Sequence, residues 1–135
     1  MYQEYKSAWA ALIAPGADFE IVTTNVRGVD IRTYANAVPN LRDAWTTTAA
    51  YAEREYLIYE SERLTYAEAH DRVNALGNWL IAQGVKPGDR VAIAMRNYPE
   101  WMLSYWATLS IGATVVGVNA WWTGTEMLYA LNDSE

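Results

Sequence analysis

The sequence predicts an α/β fold, a partial layered module in which helices pack on a mostly parallel sheet, with short hairpins toward the amino terminus. Three observations carry this. Two uncharged, β-prone runs, Val91–Met95 and Thr114–Val118, flank a segment of helical length, which is the pattern of a βαβ unit with parallel strands. Neither run alternates polar with apolar residues, as expected of strands covered on both faces. A helical stripe, Ala69, Val73, Leu76 and Leu80, leads into the first run through Gly84-Val85-Lys86-Pro87-Gly88-Asp89, where Gly ends a helix and Pro-Gly cannot continue one.

Taken in order, Tyr2–Ala14 reads as a helix with Tyr5, Trp9, Leu12 and Ile13 near one face, stopped by Pro15-Gly16. Phe19–Thr24 and Val29–Tyr34 are strands of a hairpin joined through Asn25-Val26-Arg27-Gly28. Asn40 caps a helix from Leu41 to about Glu53, with Asp43 in its first turn and Leu41, Ala44, Trp45 and Thr48 inward. Tyr56–Tyr59 and Arg63–Tyr66 bracket Glu60-Ser61-Glu62 as a second hairpin. Thr65 and Glu68 then have the spacing of a capping box, and so do Thr123 and Glu126 ahead of a last helix. Between the two strands of the βαβ unit, Asn97 is the expected cap, with Pro99 in the first turn and Glu100 three residues after the cap.

Composition narrows the function classes. With 52% hydrophobic residues in 135, the chain can build a core of one-domain size. There is no cysteine, which excludes disulfides, thiolate nucleophiles and cysteine zinc sites and is compatible with a reducing compartment. A formal charge of -6 and only two lysines, Lys6 and Lys86, argue against nucleic acid as a partner, because tracking phosphates requires clustered cations. Met1 is followed by Tyr2, Gln3 and Glu4 rather than an apolar core, so no secretory leader is expected. Trp101–Thr125 carries no charged side chain, long enough to span a bilayer. Its Ser104, Thr108, Ser110 and β-branched Thr114-Val115-Val116 favour a helix followed by a strand over a transmembrane span. The expected location is cytoplasmic, with peripheral membrane contact as the variant.

The run from Glu62 to Ser134 also resembles the amino-terminal region of AMP-forming acid-CoA ligases, the acyl-CoA synthetases of the adenylate-forming superfamily. Four pieces in order carry the resemblance: Arg63-Leu64-Thr65-Tyr66-Ala67-Glu68, Gly84-Val85-Lys86-Pro87-Gly88-Asp89-Arg90-Val91-Ala92-Ile93, Asn97-Tyr98-Pro99-Glu100-Trp101, and Leu131-Asn132-Asp133-Ser134. Residues 1–55 resemble the family loosely, and 56–135 resemble the start of its large domain. The resemblance implies a module incomplete relative to the family domain, whose partner is the remainder of a ligase chain. It implies an enzyme that uses ATP and Mg2+ to convert a fatty or related carboxylic acid to an acyl-adenylate and then passes the acyl group to CoA. In the family the Ser/Thr/Gly-rich phosphate loop and the catalytic lysine lie downstream of the matched region, so the resemblance implies no catalytic, cofactor-binding or metal residue here. The 135 residues alone are therefore expected to be inactive, and an interrupted sheet edge is expected to favour self-association.

Other candidates read as structural. Thr46-Thr47-Thr48 has hydroxyls but no glycine and lies in a helical pattern, unlike a phosphate loop. Gly84–Gly88 lacks the G-x-x-x-x-G-K-[ST] spacing, leaving Lys86 solvated. His70 has no second histidine or serine at a catalytic spacing, and Glu53/Glu55 and Glu60/Glu62 flank loops facing water. Trp121-Trp122 stands where the family more often has Asn-Pro-Arg-like residues, and both rings are candidate contacts for packing, an acyl chain or a carbohydrate. The competing reading is a small non-catalytic binding module using Trp121 and Trp122 against a lipid, sugar or protein partner.

Overall fold

The computed structural model describes residues 2–135, which form two compact units, one ending at Pro39 and the other spanning Asn40–Glu135. The division falls between Pro39 and Asn40, while the boundary at 55/56 marks where the resemblance to the ligase family becomes close. The physical reason lies in the helix after Asn40: its Trp45 is buried in the core of the second unit.

In the first unit, α1 (Tyr2–Leu12) precedes β1 (Ile21–Val26) and β2 (Val29–Tyr34), an antiparallel pair. Val26 is opposite Val29, so the loop is only Arg27-Gly28, with φ of 52° and 85°. Two consecutive residues at positive φ match the right-handed twist of the strands. Asn25 Oδ1 accepts from the Gly28 amide at 3.0 Å and Asn25 Nδ2 donates to Asp30 at 2.7 Å. The strand thus reaches Val26, beyond the Thr24 end that the sequence suggests.

The second unit begins with α2 (Leu41–Thr47), where Asn40 accepts from the Asp43 amide. The expected helix to Glu53 is shorter, continuing as one 3₁₀ turn over Thr48–Tyr51. Thr46, Thr47 and Thr48 each donate their hydroxyl to a carbonyl three or four residues back, a competition with the backbone ladder that bends or ends helices. β3 (Glu55–Tyr59) and β4 (Glu62–Thr65) form the second antiparallel hairpin, with Tyr59 opposite Glu62. At Thr65 both halves of the capping box are made, opening α3 (Tyr66–Ala82). The α3 stripe is inward: Ala69, Val73 and Leu80 are buried, and Leu76 packs against them.

Gly84, at φ 96°, ends α3, and the turn leads to β5 (Arg90–Ile93), α4 (Pro99–Ser110) and β6 (Thr114–Gly117). β5 and β6 pair in parallel, Arg90 opposite Thr114 through Ile93 opposite Gly117. This pair is the parallel sheet of the layered module; the other two sheets are the antiparallel hairpins. The α4 cap is Tyr98, not Asn97. Pro99 occupies the first helical position, so the residue before it must be the cap, and Pro also drives that residue to the extended conformation observed, φ -96° and ψ 166°. Finally α5 (Gly124–Asp133) opens on the Thr123–Glu126 capping box. The core joins Trp45, Leu64, Ala69, Val73, Leu80, Leu103 and Ala107 between α2, β4, α3 and α4.

Candidate binding cleft

Parallel pairing places the loop after β5 and the loop after β6 at the same end of the sheet, the carboxyl end, where open α/β sheets bind ligands. A cleft of about 690 Å³ opens there. Its walls include Met95, Arg96 and Tyr98 from the first loop, Asn119 and Trp121 from the second, and Trp101 of α4; Tyr59 of β3 closes one side.

The second loop is held in shape by Asn119. Its side-chain oxygen accepts from the Trp121 amide at 3.0 Å and its carbonyl from the Trp122 amide at 3.1 Å. This turn separates the two tryptophans. Trp121 lines the cleft and is 73% exposed, while Trp122 is 37% exposed and is not part of the lining. The Arg96 guanidinium lies 4.7 Å from the Trp121 ring centroid and 5.5 Å from that of Tyr98, a cation–π bridge between the two loops. Tyr59 meets Tyr98 edge-on at 5.2 Å. Desolvation is the main cause that raises the Tyr59 phenol above its ordinary pKa, helped by the Glu60 charge and opposed by Arg96. Tyr59 is therefore a neutral hydroxyl in this wall at physiological pH. Of the residues that line this cleft, the sequence singled out Trp121 and not Arg96, Tyr98 or Tyr59; the position of Arg96 soon after the first parallel strand was the available signal.

The remaining sequence candidates are elsewhere. His70 is half-buried and stacks on Trp45, centroids 4.1 Å apart, with Nε2 3.0 Å from the Thr48 hydroxyl. That hydroxyl gives its one proton to the Trp45 carbonyl at 2.6 Å, so His70 Nε2 must carry the hydrogen it shares with Thr48. Burial lowers the His70 pKa, opposed by Asp71. The three threonine hydroxyls are committed to helix carbonyls and cannot face a triphosphate. Lys86 is exposed in its turn, and its amide donates to Asp89. Glu53, Glu55, Glu60 and Glu62 are exposed, and Arg63 and Arg72 pair with Glu55 and Glu62 at 3.8 and 3.4 Å. Among the described residues no group of three or more His, Cys, Asp or Glu could hold a metal.

Parallel strands linked by a helix, with an aromatic cleft at their carboxyl ends, define an α/β module built on a βαβ unit. The sequence from 44 to 135 matches the model of the AMP-binding enzyme family, and the chain belongs to that family. Crotonobetaine/carnitine–CoA ligase of Salmonella typhimurium is 32% identical over 102 residues, which are 71% of this chain and 20% of that protein. The chain thus spans about one fifth of the curated relatives it matches. Among solved structures, the N-terminal subdomain of Klebsiella oxytoca NpsA superposes with a TM-score of 0.68 at 26% identity, covering 71% of this chain and 26% of that one. The anthranilate CoA ligase AuaEII in complex with anthranoyl-AMP gives 0.66 at 26% identity, covering 70% and 18%. Among the described residues no helix is long and apolar enough to cross a membrane.

Proposed function

We propose that this sequence forms the amino-terminal structural part of a cytoplasmic carboxylic acid–CoA ligase. The intact enzyme uses ATP and Mg2+ to make an acyl-adenylate and transfers the acyl group to CoA. The observation that supports this best is the family match across 44–135 on a fold whose parallel pair presents a cleft at its carboxyl end. In this reading the module is architectural: α3 and α4 hold β5 and β6, against which later sequence builds the ATP and acyl pockets. Trp121 is a ligand contact of the intact enzyme, and Trp122 a packing contact with the rest of the chain. One observation favours the second reading, a non-catalytic binding module: the Trp121 ring is open to solvent while braced by Arg96.

Pyrophosphate release separates the two. The purified 135 residues, given a panel of carboxylic acids with ATP and Mg2+, should release none. The open reading frame carried past codon 135 should encode a Ser/Thr/Gly-rich loop and a late lysine, and its product should release pyrophosphate. Robust release by the 135 residues alone overturns the architectural role, and an inactive longer product overturns the ligase reading.

A further inference from the structure

α2 and α3 each pack on α4, and between them runs a groove of about 450 Å³ that shares no residue with the cleft at the carboxyl end of the sheet. Its walls are polar. His70, Asn74 and Asn78, spaced four apart and so on one side of α3, line it together with Arg42 and Trp45 of α2 and Ser110 at the end of α4. No Asp or Glu lines it, and among the described residues the Arg42 guanidinium and the Asn74 and Asn78 side-chain amides have no partner within the chain. Two buried groups are orphaned at the same place. The Trp45 Nε1–H and the Ser110 hydroxyl are shielded from solvent without meeting an acceptor, and Trp45 is 3% exposed. A buried donor left unpaired lowers stability, so such groups call for a partner.

We propose that this groove binds a small hydroxycarboxylic acid, with its carboxylate on Arg42, Trp45 and Ser110 and its hydroxyls on His70, Asn74 and Asn78. Arg42 is the one formal charge in the lining, which selects a monoanion over a cation or a polyphosphate, and a planar guanidinium matches a carboxylate in shape. The two orphaned groups can donate to its oxygens. His70 requires the opposite polarity. Its Nε2 carries the hydrogen shared with Thr48, so Nδ1 is an acceptor and calls for a ligand hydroxyl, which a plain fatty carboxylate does not have. The asparagine amides both donate and accept, as a hydroxyl does. Because the Trp45 Nε1–H lies beneath the groove surface, seating the carboxylate moves the indole against His70, whose ring is stacked on it at 4.1 Å. The site stands apart from the cleft, and the inference does not depend on the ligase reading.

Isothermal titration calorimetry of the 135-residue chain with sodium gluconate as the probe should show saturable binding. Glucose carries only the hydroxyls and butyrate only the carboxylate, and each should bind more weakly by roughly tenfold or more. Arg42→Gln should weaken gluconate binding by a similar factor, and the pair Asn74→Ala, Asn78→Ala should weaken it too. All three positions are exposed, and alanine favours a helix, so these variants fold. Ser110→Ala reads a sign that a structural serine would not give: loss of an unpaired buried hydroxyl should raise the urea midpoint of the free protein while weakening gluconate binding. The proposal is overturned by no gluconate binding at millimolar concentration, by glucose or butyrate binding equally well, by unchanged affinity in Arg42→Gln, or by a lowered midpoint in Ser110→Ala.

Discussion

His70 shows how a single residue can be both unremarkable chemically and consequential for stability. Its Nε2–H is fixed by the Thr48 hydroxyl and its ring by Trp45, so charging it places a cation in a half-buried stack that also adjoins Arg42 across a shared groove. Burial lowers its folded pKa. A histidine whose folded pKa is below the unfolded value contributes its full stability above the unfolded value, about 6.5, and loses it as pH falls toward the folded value. The urea midpoint of the chain should therefore fall as pH drops below about 6.5, with the drop removed in His70→Gln, whose amide can still donate to Thr48. An equal drop in His70→Gln would assign the effect to carboxylates. Glu68 and Glu126 act in a lower window. Backbone donation from Thr65 and Thr123 lowers their pKa values, so what they contribute is present above about 4.3 and lost as pH falls. The residues that were legible in sequence are those with local partners: Thr65 with Glu68, Thr123 with Glu126, Asn40 with Asp43. Arg96 with Trp121 and Thr48 with His70 are joined only by the fold, and no local pattern announces them.

At the scale of elements, the turn before β5 and the one before β6 lock each other. The Gly88 amide donates to the Gly112 carbonyl at 2.8 Å, and the Thr114 amide to the Asp89 carbonyl at 2.7 Å. Gly112 has φ 80°, and a Cβ there would lie 3.2 Å from Pro87 Cβ. Both the conformation and the space therefore demand glycine. Gly112→Ala should destabilise the chain by about 1 kcal/mol or more, measured by urea unfolding; a neutral or stabilising effect would show that the turn can relax. Element identities were legible because their signals are periodic: the four-three-four spacing of α3 and the uncharged runs of β5 and β6. Element ends were less so. α2 ends early because three successive threonines turn their hydroxyls on the helix carbonyls, and the α4 cap moved to Tyr98 because Pro99 fixes the first helical position.

For the whole molecule, the unpaired edges matter most. Among the described residues β5 and β6 pair only with each other, and neither Arg90–Ile93 nor Thr114–Gly117 has a second neighbouring strand. Exposed strand edges and apolar side chains such as Trp79 at 57%, Ile81 at 55% and Leu128 at 58% favour association. We propose that the isolated chain self-associates through this edge: size-exclusion chromatography with light scattering should show species larger than a monomer that bind a hydrophobic dye. A monodisperse monomer without dye binding would count against it. The α/β class was legible from two uncharged runs around a helix, whereas the division at Pro39/Asn40 was not, because it depends on where Trp45 finds its partners.

Trp45 and Trp106 lie 5.1 Å apart with ring planes 16° from parallel, one on α2 and the other on α4. Two indoles this close share their electronic excitation, so they absorb and emit as a pair. The chain thereby contains its own optical gauge of whether α2 is seated on α4. Coupling of this strength vanishes once the two helices part, so replacing either indole with Phe isolates its share of the near-ultraviolet signal.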